Sequence, residues 1–119
     1  LGFWQGVNHQ TTNTAQWRAD IMKKRDVFNQ LKQVQLEHDI QALRWEKRSL
    51  TDPDCADWVR FAHTDSSKGV GIFKAISRLL GDDYDSAGNM NDESLALLET
   101  WSDLHIEVYN IKQQQKEVA

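Results

Sequence analysis

The chain has 119 residues, the size of one ordinary domain, with 39% hydrophobic and 27% charged residues and a net charge of −4. That balance excludes a collagen-like chain, a disordered acidic tail and a polytopic membrane protein. One cysteine, one proline and six glycines exclude an internal disulfide framework and a multi-cysteine zinc site, and argue against a turn-rich β fold.

The opening Leu1-Gly2-Phe3-Trp4 is apolar and aromatic. It reads as an N-terminal arm over residues 1–12, or as the stub of a membrane span upstream with Trp4 at the interface. Thr12, Asn13 and Thr14 then supply N-cap chemistry, and from Thr14 to Ser49 there is neither Gly nor Pro. Asp26, Gln30, Gln33, Glu37, Gln41, Arg44 and Arg48 recur at steps of three and four, one polar stripe of a helix. Much of the remaining circumference is apolar. One edge carries Trp17, Ile21, Phe28, Leu31 and Ala42, the other Leu36, Ile40, Leu43 and Leu50, with Val27, Val34 and Trp45 widening the face. A helix over 14–49 spans about 54 Å, more than a compact domain of this size covers. The spacing therefore predicts one very long helix with surplus apolar surface, or a single break near 35–39.

Asp52, Pro53, Asp54 and Asp57 form a strong helix start. Cys55, Trp58, Val59 and Ala62 follow at helical spacing, predicting a short helix over 54–63. The polar run His63-Thr64-Asp65-Ser66-Ser67 reads as a break. A third helix carries Val70, Phe73, Ile76, Leu79 and Leu80 and ends at Gly81. After a loop rich in Asp, Asn and Gly, a last helix begins near Asn91. Leu97, Trp101, Leu104, Val108 and Ile111 form a heptad seam along it. Residues 113–119 lose the periodicity and are expected to fray. The predicted fold is a single all-α domain over 1–119, a bundle of about four helices.

Few patterns carry chemistry. The loop from Asp83 to Ser94 resembles a calcium loop at Asp83, Asp85, Gly88 and Met90, but Ala87 and Ser94 lack two required oxygen ligands. Ser66-Ser67-Lys68-Gly69-Val70-Gly71, read as a helix start, is at most a weak anion site, since no strand precedes it. His9, His38, His63 and His105 are scattered, and Cys55 lies on an apolar face. Glu99, Asp103 and Glu107 line a face opposite the heptad seam, turned to solvent. No catalytic residue, metal site or cofactor is predicted, and no small-molecule substrate is implied.

Charge is divided along the chain. Residues 1–50 hold eight Lys/Arg and five Asp/Glu; residues 51–119 hold six and thirteen. The leading expectation is a non-enzymatic interaction or assembly subunit. Its long first helix meets another chain or a second copy through Trp17, Ile21, Phe28, Leu31 and Trp45. The competing expectation is a regulator that binds nucleic acid or an anionic membrane through Lys23, Lys24, Arg25, Arg44, Lys47 and Arg48. The expected location is the cytoplasm, free or tethered through a segment upstream of Leu1.

Overall fold

A computed structural model describes residues 3–52, 54, 55 and 57–118, with side chains described for 23–52, 54, 55 and 57–117. The chain is all-helical: α1 runs Phe3–Thr51, α2 Asp57–Leu80 and α3 Asp92–Val118, with two 3-10 turns, Asp82–Tyr84 and Ala87–Asn89, between α2 and α3. Among the described residues there are three long helices rather than four. α1 is unbroken through 35–39, as the absence of Gly and Pro allows. It already begins at Phe3, ahead of the capping residues at 12–14.

The expected break at 63–67 is a helix interior. Its polar residues find partners without unwinding the backbone. Thr64 Oγ1 donates to the Arg60 carbonyl at 2.9 Å. Asp65 accepts a 2.9 Å bond from Trp45 Nε1 and lies 3.3 Å from His38 Nδ1. Gly69 is buried where a Cβ would overlap Asp39 Oδ1, so its small size permits close packing of α1 on α2. Gly81 then ends α2 with φ 90°, a left-handed value that suits glycine. The C-terminal stretch is also helical, to Val118. Gln, Lys and Glu are good helix formers, and Gln115 Nε2 donates to the Leu50 carbonyl at 2.9 Å.

α2 runs antiparallel to α1. Trp58 stacks on Trp45 near one end, and Lys32 Nζ lies 5.9 Å from the Phe73 ring centroid near the other. α3 runs parallel to α1: Ser94 meets Asn29 and Gln33, and Glu107 pairs with Lys47 at 2.6 Å. The core is a strip of Phe28, Leu36, Ile40 and Leu43 on α1 against Ile76 and Val108, with Phe28 and Ile76 fully buried. At the α2–α3 connection, Asn29 acts as a hub. It donates to the Arg25 and Asn89 carbonyls and accepts from the Asn91 amide and Ser94 hydroxyl, both at 2.8 Å. The Lys32–Asp85 ion pair, 2.7 Å and largely shielded, fixes the same loop. α1 continues past this end. Its 49 residues, about 74 Å at 1.5 Å each, account for a molecule of 79 × 22 × 19 Å.

Candidate functional site

Both α2 and α3 lean on α1, yet among the described residues they barely touch each other. The gap between them is a groove of about 520 Å³ whose floor is α1. Ala42, Leu43 and Leu50 form the apolar part of that floor, Val59 and Ala62 one wall, and Trp101 the other. Asp39, Glu46, Ser49, His63, Ser66 and His105 contribute its polar groups. Trp101 and His105 stack at 5.1 Å along the α3 wall. A smaller recess beside it adds Val108, Tyr109 and Lys112.

Helical spacing extends the α2 wall. Val70 follows Val59 and Ser66 at three turns and one turn, on the same face. Val59, Val70 and Tyr109 are 48, 49 and 58% exposed. Single exposed hydrophobes need no explanation, but apolar side chains flanking one trough form a surface. The seam expected on α3 is only partly inward: Val108 is buried, whereas Trp101 is half-buried at the groove.

The ionisable groups here are modest. Burial holds the Asp39 carboxyl above its ordinary value, while the Gln35 amide, Lys32 and His38 pull it back. Gln35 Oε1 beside it is buried and finds no hydrogen-bond partner among the described residues, as is the case for Trp58 Nε1. Glu46 pairs with Lys112. Among the described residues no three His, Cys, Asp or Glu side chains gather where a metal ion would be held. The loop after α2 spends its groups on itself. Asn89 Nδ2 donates to the Tyr84 carbonyl at 3.0 Å and the Ser86 hydroxyl at 3.2 Å, and Asp85 is held by Lys32. The Ser66–Gly71 run is no helix start, since its amides lie inside α2.

The residues expected at an interface fare differently. The side chains of Trp17 and Ile21 lie outside the described residues. Phe28 is corrected: it is fully buried, 6.0 Å from the Tyr84 ring, in the chain's own core. Leu31 is half-buried. Trp45 is also used internally, stacked 5.2 Å from Trp58 and tilted 5.0 Å from Phe61. The six basic candidates do not form one patch. Lys23, Lys24 and Arg25 are exposed near the α2–α3 connection, about 30 Å along the helix from the others. Arg44 is exposed, but Lys47 pairs with Glu107 and Arg48 lies over the Trp45 and Trp58 rings, 5.2 Å from each. The groove was not visible in sequence, because no local spacing shows that two helices fail to meet.

Comparison of the chain with family models, curated proteins and solved structures found no match. No helix among the described residues is long and apolar enough to cross a membrane.

Proposed function

We propose that this chain is a non-enzymatic interaction subunit that receives a helix in the groove between α2 and α3. The observation behind the proposal is the splay of those two helices over an apolar floor. Helix-in-groove recognition uses such a trough, with an amphipathic helix laying its apolar face between two ridges. The long first helix remains the spine of this reading, but its contact surface moves from Phe28 and Trp45 to Ala42, Leu43 and Leu50. On the same reading the subunit works in the cytoplasm, free or tethered.

Photocrosslinking in the cells that make the protein tests this. A photoreactive residue at Val59 should give discrete adducts, while one at Gln41 on the polar stripe should give none. Equal adducts at both positions, or none at Val59, would overturn the reading. Adducts only at Lys24, with association that weakens steeply as salt rises, would point to a phosphate-bearing partner instead.

A further inference from the structure

We infer that the helix received in the groove is the N-terminal section of α1 from a second copy, so that copies join head to tail. This rests on the function proposed above and names the partner. Three features meet in it.

The first is geometry. The groove lies at the end of the bundle where α1 finishes, lined by residues 39–50 of α1. The N-terminal section of α1 leaves the bundle at the opposite end, beyond the connection held by Asn29 and Lys32. A helix entering parallel to α1 from the open end meets the connection between α2 and α3 only at the far end, where residues 81–91 cross near Lys32.

The second is chemistry. Residues 14–25 carry Trp17 and Ile21 one turn apart, with Arg18, Lys23, Lys24 and Arg25 against a single Asp20. The groove lining holds the carboxylates of Asp39 and Glu46, the latter already paired with Lys112 of the adjoining recess, so the attraction rests on the rim. Beyond its open end lie Asp52, Asp54 and Asp57, all exposed.

The third is register. A shift of about 29 residues, or about 43 Å at the helical rise, sets Trp17 and Ile21 level with Glu46 and Leu50. The same shift brings Lys23 to Arg25 level with Asp52 and Asp54. One displacement thus matches the opposite charges and sets Ile21 against Leu50, with Trp17 beside the Glu46–Lys112 pair and Asn13 and Thr14 level with Ala42 and Leu43.

Arm and groove are different surfaces, so the contact is heterologous. A joined pair keeps one free arm and one free groove, so the series stays open or closes as a ring. Sedimentation velocity of the full chain reads this directly, and average mass should climb past that of a dimer as concentration rises. Reversing the arm (Lys23→Glu, Lys24→Glu, Arg25→Glu) or the acidic rim (Asp52→Lys, Asp54→Lys) alters exposed residues only, and each should weaken association about tenfold at low salt. Mixing the two variants should restore it, because both pairings are again complementary. Mixing Trp17→Glu with Val59→Glu should stop at a 1:1 pair, one copy lending its arm and the other its groove.

A wild-type chain that stays monomeric at all concentrations overturns this inference. So does a dimer indifferent to both charge reversals, or a Trp17→Glu, Val59→Glu mixture that never pairs. If Val59 still crosslinks to a different protein in cells, the proposed function survives while the self-association fails.

Discussion

Two glycines in the interior of α2 allow the close packing of α1 on α2 to be tested against an internal control. Replacing Gly by Ala inside a helix stabilises it by about 0.5–1 kcal/mol, because the alanine backbone has less freedom to lose. At Gly71 nothing lies within 4 Å of an added Cβ, so Gly71→Ala should show that gain in full. At Gly69 the same methyl would meet Asp39 Oδ1 and crowd its Cγ at 3.1 Å, so the carboxylate must swing aside and give up its long, 3.5 Å bond from the Gln35 amide. Overpacking costs about 1–3 kcal/mol, and subtracting the propensity gain of about 0.5–1 kcal/mol leaves a net loss of about 0–2.5 kcal/mol. The two variants should therefore move in opposite directions in urea unfolding followed by helical circular dichroism. In an Asp39→Ala background the obstacle is gone, and Gly69→Ala should become stabilising. If Gly69→Ala matches Gly71→Ala in the parent chain, α1 and α2 do not approach through Asp39 and Gly69, and their packing as described is wrong.

Burial raises the Asp39 pKa in the folded state, so folding favours its protonated form. Its favourable contribution is complete below the unfolded carboxyl pKa and is lost as pH rises through the folded one. Asp39→Asn should thus stabilise the protein near neutral pH, and a melting series run downward in pH should show that advantage shrink. Asn29→Ala strips partners from the Asn91 amide and the buried Ser94 hydroxyl; at about 1–3 kcal/mol for each orphaned group, chemical unfolding should register at least ~2 kcal/mol of lost stability. Phe28→Ala, at a fully buried site, should cost about 3–5 kcal/mol. Trp101→Ala at the half-buried groove wall should cost clearly less in the same assay while weakening self-association; equal losses would mean that Trp101 belongs to the core.

The helical class and a long first helix were legible because both rest on local rules, while the sequence left a single break near 35–39 open. A stretch free of Gly and Pro with a regular polar stripe has one economical conformation. Residues 63–67 misled for the same reason in reverse. His, Thr, Asp and two Ser in a row resemble a loop only until Asp65 is seen to hold the Trp45 indole twenty residues away. Gly69 and Gly71 look alike in sequence, yet only one faces Asp39. The apolar face of α1 was legible from its spacing, and Phe28, Leu36, Ile40 and Leu43 on it are buried in the chain's own core. Which part α2 and α3 cover was not readable, since that depends on where they sit around α1. Phe28 and Trp45 were consequently assigned outward, whereas Tyr84 and Trp58 claim them inside.

The attachment of α2 and α3 to a common spine bears on how the molecule can deform. Each wall of the groove is fixed to α1 by its own ties, Asp65 with Trp45 and His38 on one side, Lys47 with Glu107 and Lys112 with Glu46 on the other. Between the walls there is little to break among the described residues. One wall can roll outward on α1 without stretching a bond to the other, and residues 81–91 restrain them at one end only. The aperture is therefore a soft coordinate in an otherwise stiff rod, widest in reach at the end opposite that connection. A guest helix of greater girth would be met by a change of angle rather than by repacking of the core.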